Sequence, residues 1–170
     1  VQTLTFTITG GADQTLFNIG ATTGVLTFNV APDFESPTDA GMKNDYDLQV
    51  TVTDNGMGNL ADAQDLAVTV TNANDAPVLA AIGNQAVDEL VTLTLTATAT
   101  DQDLPVQNLS FSLDAAAVSA GMIIDAASGV LTFTPTESQG GMIVDATITV
   151  TDNGTNATNL TDSKTINVTA

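Results

Sequence analysis

The chain has 170 residues and is strongly acidic, with 20 Asp and Glu residues against two Lys, no His and no Cys, for a formal net charge of −18. Such a charge repels nucleic-acid phosphates and anionic membranes and attracts cations. The lack of cysteine excludes disulfides and thiolate chemistry, and the apolar runs are too short to span a membrane. Composition therefore predicts no nucleic-acid partner and no membrane insertion, while a hydrophobic fraction of 43% predicts a buried core.

Alternation of apolar residues with threonine predicts β-strands along the whole chain. In chain order, the predicted strands cover residues 4–9, 25–30, 46–54, 66–71, 90–100, 109–113, 130–135 and 146–152. A period of two places one face of each strand in a core. Clusters of Gly, Asn, Asp and Pro separate the strands, no segment has a helical period, and the two Asp-Asn-Gly sequences predict tight hairpin turns. We predict an all-β fold of antiparallel β-sandwiches.

The sequence contains two copies of one unit. LTFTI at 4–8 matches LSFSL at 109–113, GVLTF occurs at 24–28 and again at 129–133, VTVTDNG at 50–56 matches ITVTDNG at 148–154, and DLAVTVT at 65–71 matches KTINVTA at 164–170. The predicted domains are residues 1–76 and 77–170, joined at the sequence NANDAP.

The first copy lacks the front of the second. Residues 78–108 hold two strand-like stretches that have no counterpart before Leu4. The chain opens directly in strand-like sequence, which predicts an excerpt or a processed product. The missing strands come either from residues that precede Val1 or from a neighbouring subunit, since a sandwich without them would expose edges and core.

The order of these motifs resembles a cadherin repeat. In the first copy the resemblance is carried by LFNIGATTGVLTF, APDFES, YDLQVTVTDNG and VTVTNANDAP; in the second, by IGNQAVDE, LTATATDQD, LSFSL, IIDAASGVLTFTPTESQGG and ITVTDNG. The second copy is similar to the cadherin-like or immunoglobulin-like (dystroglycan-type) tandem repeats of large bacterial surface or secreted adhesin-type proteins. The resemblance implies two tandem Greek-key β-sandwiches, the first without its N-terminal strands, in an extracellular or cell-surface protein.

The resemblance also implies calcium at the joint. The positions that match the calcium ligands of cadherin repeats fall into four groups. They are an acidic pair (Asp33 and Glu35), the linker (Asn72, Asn74 and Asp75), an Asp-x-Asp (Asp101 and Asp103) and a further Asp late in the second copy (Asp152). Ca²⁺ takes about six to eight oxygen ligands, which carboxylates, amides and backbone carbonyls supply. The linker begins with Asn72 where an Asp is usual, which implies fewer or weaker ions. Each of these motifs, taken alone, is also typical of an ordinary turn or a polar linker that binds no ion.

Three classes of function follow from these observations. The first is a calcium-stiffened structural repeat, a spacer or filament module in adhesion or assembly, whose partners are calcium and adjacent repeats or neighbouring subunits. The second is a carbohydrate-binding module, but a glycan site favours exposed aromatics, and the chain has no Trp and a single Tyr. The third is an enzyme, which the absence of His and Cys argues against. We predict a non-enzymatic, calcium-binding adhesion-type module.

Overall fold

The computed structural model describes residues 2–154 and 158–170, which form two compact units, Val1–Ala73 and Asn74–Ala170. Nearly all regular structure is β-strand, which confirms the predicted all-β class of tandem sandwiches with an incomplete first copy. Within the described residues, no helix is both long and apolar enough to cross a bilayer.

The first unit has a three-stranded and a two-stranded sheet. Its strands are β1 (Leu4–Gly10), β2 (Phe17–Ile19), β3 (Leu26–Phe28), β4 (Asp45–Asp54) and β5 (Ala61–Thr69), with a 3-10 turn at Gln14–Leu16. The strand orders are β1-β4-β5 and β2-β3, and every pair is antiparallel. Its buried core consists of Phe17, Tyr46 and Leu48, with the Tyr46 ring edge-on to Phe17 and Phe28. This core is small for a sandwich.

The second unit has three sheets and a larger core. Its strands are β6 (Val78–Leu79), β7 (Gln85–Ala86), β8 (Leu93–Thr96), β9 (Ala99–Thr100), β10 (Ser110–Leu113), β11 (Ile123–Ile124), β12 (Val130–Phe133), β13 (Ile143–Thr151) and β14 (Thr161–Thr169), with helix α1 (Ala115–Ser119) and a 3-10 turn at Glu137–Gln139. The strand orders are β10-β13-β14-β7, β11-β12-β8 and β6-β9. Only the β14–β7 pair is parallel among the strands of the described residues.

The internal repeat appears in the strand pairing. Phe6 pairs with Val52 in the first unit as Phe111 pairs with Val150 in the second, and the β2–β3 hairpin has its counterpart in β11–β12. The final strands do not match as the sequence suggested. The sequence repeat matches Leu66 of β5 with Thr165 of β14. In the strand pairing, Leu66 lies opposite Leu48, and the residue of β14 at the equivalent position is Ile166. The sequence alignment was therefore wrong by one residue, a slip that would turn each side chain to the other face.

Three further sequence predictions are wrong in detail. The run at 90–100 is two strands that join different sheets, β8 with β12 and β9 with β6. The Asp-Asn-Gly sequences do not form tight two-residue turns, because β4 ends at Asp54 and β5 begins only at Ala61, and β13 ends at Thr151 and β14 begins only at Thr161. Helix α1 was missed, since five residues are too few to establish a helical period; its start is set by Asp114, whose carboxylate accepts the Ala117 N–H.

Candidate functional site

The carboxylates of Asp75 and Asp101 each lie next to Asp103 in the second unit, where the start of the unit adjoins the loop that follows β9. The N–H of Asp75 donates to Oδ2 of Asp103 (3.0 Å), and the N–H of Asp103 donates to Oδ1 of Asp101 (3.1 Å). The Gln102 side-chain amide donates to Oδ2 of Asp75 (2.9 Å). The Asp-x-Asp turn and the residue after Asn74 therefore form one acidic group, which we call the acidic cluster: Asp75, Asp101 and Asp103.

The acidic cluster contains carboxylate oxygens that receive no hydrogen bond from the described residues. Asp103 is 2% exposed. Among the described residues, no hydrogen bond reaches Oδ1 of Asp103 or Oδ2 of Asp101, and both atoms are buried. A buried charged oxygen without a donor costs several kcal/mol. Both atoms are anionic acceptors, so a cation or a proton would remove this cost.

The electrostatics of Asp103 point the same way. Burial is the largest influence and raises the pKa of Asp103; the N–H of Asp75 lowers it, and the negative charges of Asp101 and Asp75 raise it again. The net pKa is raised, which means that the folded unit disfavours the charged form of Asp103. Hard oxygen ligands with excess negative charge are the donor set that Ca²⁺ prefers. These residues fit calcium; the side chains of Asp75, Asp101 and Asp103 would hold it, and their role as ligands stays a prediction.

Asn74 and Asp152 form a second group, within the same unit. The Asn74 side-chain amide donates to Oδ2 of Asp152 (2.9 Å) and to the Thr158 carbonyl (3.1 Å). Oδ1 of Asp152 accepts the N–H groups of Gly154 and Leu160, both at 3.0 Å. Burial acts to raise the pKa of Asp152, but these hydrogen bonds outweigh it and lower the pKa. Asp152 thus joins Gly154 to Leu160 through its carboxylate, and its role as a calcium ligand stays a prediction.

Sequence analysis missed two amide side chains at the site. Gln102 contacts Asp75, and its position between the two Asp residues of TDQD could have indicated that it belongs to the site. Gln107 donates to Oδ1 of Asn74 (2.6 Å), and no motif marked it. Its own Oε1 is buried without a hydrogen bond from the described residues.

The remaining predicted ligands lie in the first unit. Oδ1 of the exposed Asp33 accepts the N–H of Glu35 (3.0 Å), so PDFES is an Asx turn. The Phe34 carbonyl accepts the Asn44 side-chain amide (2.8 Å), which holds this turn to the start of β4. Glu35 and Asn72 are half-buried. Their role as ligands, with that of Asp33, stays a prediction.

A buried carboxylate that is fully satisfied provides a useful contrast. Asp39 is 3% exposed, and its oxygens accept the N–H groups of Gly41, Lys43 and Asn44, each at 3.0 Å. Burial acts to raise the pKa of Asp39, but the hydrogen bonds from Lys43, Asn44 and Gly41 lower it overall. Asp39 therefore stabilises a loop and leaves no carboxylate oxygen for a cation.

Because the folded state lowers the pKa of Asp39, the first unit should lose stability in acid. The unfolded chain takes up the proton more readily, so the stabilisation is complete above the unfolded pKa and is lost as the pH falls through the folded pKa. Urea unfolding between pH 7 and pH 3, followed by the fluorescence of Tyr46, the only Tyr in a chain without Trp, reports on the first unit alone. We expect Asp39→Asn to lower stability at pH 7 and to flatten the acid dependence. Asp62→Asn, at an exposed position on β5, should leave both unchanged; an unaltered acid profile in Asp39→Asn would contradict the assignment.

No protein-family profile and no curated protein matches the chain. Solved structures do match. Human protocadherin-24 (EC1-2) aligns with a TM-score of 0.62 and 19% identity over 98% of this chain and 81% of that chain. Drosophila N-cadherin (EC1-4) gives a TM-score of 0.61 and 22% identity over 99% of this chain and 40% of that chain, and the extracellular domain of protocadherin gamma-B4 gives 0.54 and 19% over 98% and 27%. The chain thus spans less than half of the latter two structures. The fold is cadherin-like.

Proposed function

We propose that this chain is a calcium-binding structural repeat of an extracellular adhesion-type protein. The observation that carries the proposal is the pair of buried carboxylate oxygens, on Asp101 and Asp103, that receive no hydrogen bond from the described residues. The cadherin-like fold supports the extracellular setting, because one matching structure is named as an extracellular domain. The net charge of −18 also favours cations over any anionic partner.

The proposed role of the ion is mechanical. Without calcium, the carboxylates of the acidic cluster repel one another, and the loop after β9 is held to the start of the unit by the Asp75 N–H and the Gln102 side-chain amide. With calcium, the carboxylates share one counter-charge and the loop is fixed to the start of the unit. The proposal extends to Asp33, Glu35 and Asn72 as additional ligands that would stiffen the joint between repeats, on the strength of the sequence pattern.

The proposal assigns no catalytic role, because the chain has no His or Cys. It also does not favour a carbohydrate-binding module, since Tyr46, the only Tyr, is 0% exposed and cannot offer a stacking surface. Adjacent repeats and calcium are the proposed partners.

Calorimetric titration of CaCl₂ into EDTA-treated, desalted protein at moderate salt tests the proposal. We expect saturable binding that Asp101→Asn/Asp103→Asn loses, because the variant removes two ligands and their charge. Asp62→Asn/Asp88→Asn removes the same charge from exposed positions and should bind as the parent does. Equal loss in both variants would mean that the acidic surface only attracts calcium diffusely, and the proposal would be wrong.

A further inference from the structure

The two Asp-Asn-Gly sequences have a chemical reactivity that neither the fold nor calcium binding uses. In Asn55-Gly56 and in Asn153-Gly154 an asparagine is followed by the one residue without a Cβ, so the next backbone nitrogen can approach the asparagine side chain closely. Asparagine is among the thermolabile residues of proteins. Each sequence is therefore a place where the asparagine amide can be lost by attack from within the chain.

The reaction joins two neighbouring residues. The backbone nitrogen of Gly154 bonds to Cγ of Asn153, the Cγ–Nδ2 bond breaks, and ammonia leaves with the proton of the Gly154 N–H. Water then opens the cyclic succinimide at either of its carbonyls, which gives aspartate or isoaspartate. Nothing is oxidised or reduced, and water is the only co-reactant. In isoaspartate the backbone runs through Cγ, which adds a carbon to the main chain.

In the folded second unit both reacting groups are engaged elsewhere. The Gly154 N–H donates to Oδ1 of Asp152 (3.0 Å), so the nucleophile faces a carboxylate in an Asx turn. Oδ1 of Asn153 accepts the N–H of Asn108 (2.7 Å), which lies just before β10. The asparagine side chain is thus bound to a distant loop while the nitrogen that would attack it is bound to Asp152.

Asp152 is itself held firmly in place. It is 3% exposed, and its Oδ1 also accepts the N–H of Leu160 (3.0 Å). Its Oδ2 accepts the side-chain amide of Asn74 (2.9 Å). Hydrogen bonds to an ionised carboxylate are stronger than those to a neutral acceptor. The Gly154 nitrogen can therefore reach Asn153 only when this turn opens.

The first unit has the same arrangement. The Gly56 N–H donates to Oδ1 of Asp54 (2.9 Å), and Oδ1 of Asn55 accepts the N–H of Thr3 (2.8 Å). Thr3 directly precedes the LTFTI of β1 as Asn108 directly precedes the LSFSL of β10. Because both copies engage the same two groups with equivalent partners, this protection belongs to the repeat unit and not to one loop.

We propose that Asn153 is a modification site that the folded repeat keeps closed, and that its amide is converted to aspartate or isoaspartate only when the Asp152 turn opens. The rate of conversion is then the rate in an unstructured chain multiplied by the fraction of time for which the turn is open. Conversion places a new carboxylate beside Asp152. The isoaspartate product also lengthens the loop and displaces the oxygen that Asn108 binds, so a modified chain has a looser β13–β14 loop.

Peptide mapping by mass spectrometry of the full chain, kept in EDTA at mildly alkaline pH below its melting transition, tests this proposal. A synthetic peptide of residues 148–160 gives the rate of the same sequence without the fold. We expect Asn153 to convert at least about tenfold more slowly in the chain than in the peptide, which corresponds to an opening free energy of at least ~1.4 kcal/mol. Hydrogen exchange of the Gly154 N–H, followed by NMR, should be slowed by a similar factor, because both processes need the same opening. EDTA makes the result independent of calcium, so this proposal and the proposed function can fail separately.

Two variants serve as controls for each other. Asp152→Ala removes the acceptor of the Gly154 N–H and should bring the rate at Asn153 close to that of the peptide, with the rate at Asn55 unchanged. Asp54→Ala should do the reverse. Far-UV circular dichroism verifies that each variant is folded, and the comparison of the unaltered chain with the peptide does not depend on a variant folding.

Three results would overturn the proposal. One is an equal rate in the folded chain and in the peptide, which would mean that the turn protects nothing. Another is the absence of conversion in the peptide, which would mean that Asn153 is not a modification site. The third is a folded Asp152→Ala chain that converts Asn153 as slowly as the parent does, which would place the protection outside Asp152.

Discussion

Calcium is expected to raise the melting temperature of the second unit by about 10–20 °C. At a free concentration one hundred times the Kd, binding to the native state adds about 2.7 kcal/mol, and each kcal/mol shifts a domain of up to about 100 residues by roughly 4–8 °C. The stabilisation arises because the ion neutralises the buried oxygens of Asp101 and Asp103. Differential scanning calorimetry with calcium and with EDTA measures it, and Tyr46 fluorescence identifies which transition belongs to the first unit.

The variant Asp101→Asn/Asp103→Asn should lose this response. It should also melt no lower than the parent in EDTA, because the change at position 103 removes a charge that the folded unit disfavours, as the raised pKa of Asp103 indicates. The amide oxygen that replaces the carboxylate at position 103 can still accept the N–H of Asp75. Asp62→Asn/Asp88→Asn should keep the full calcium response. If Asp101→Asn/Asp103→Asn retained the shift, the ion would bind elsewhere.

Gly129→Ala is expected to destabilise the second unit by about 3–5 kcal/mol, near the upper end for single substitutions. The residue has φ 69°, which costs an L-residue about 1–2 kcal/mol. The larger part comes from the overlap of the new Cβ with the Ala97 backbone, which would force β8 away from β12. Urea unfolding followed by far-UV circular dichroism measures the loss.

Gly24→Ala is the matched control for that experiment, because it has the same sequence context and the same φ. In the isolated chain it should destabilise the first unit by only about 1–2 kcal/mol, since the left-handed backbone is then the main cost. Tyr46 fluorescence follows this unit separately. Equal losses at the two glycines would mean that backbone conformation, and not the neighbouring strand, decides the cost.

The strands could be predicted from the sequence wherever alternation is long and uninterrupted. β1, β4 and β13 alternate apolar residues with threonine over seven to ten positions, and this period is a local property of a half-buried strand. The two-residue strands β6, β7 and β11 were missed because two residues carry no period. Whether the run at 90–100 is one strand or two depends on its partners, β12 and β6, which local sequence does not encode.

The acidic residues of the candidate site could be predicted from the sequence, but the hydrogen bonds within the site could not. The Asp-x-Asp turn and Asp75 were identified from their order along the chain and the cadherin resemblance. Pairing of Asp152 with Asn74 could not be foreseen, because it joins positions 78 residues apart through a side-chain amide. Likewise Gln107 belongs to no motif, and only folding brings it to Asn74.

By itself the sequence determined the all-β class and the two copies of one unit, because these follow from local periodicity and from repetition. Tertiary structure decided which carboxylates are satisfied. Asp39 and Asp103 are the same residue type and are equally inaccessible, at 3% and 2% exposed. Backbone N–H groups saturate Asp39, whereas Asp103 retains a buried oxygen without a donor among the described residues. The number of donors that reach a buried charge depends on how distant segments pack, and that number separates a structural aspartate from a candidate calcium ligand.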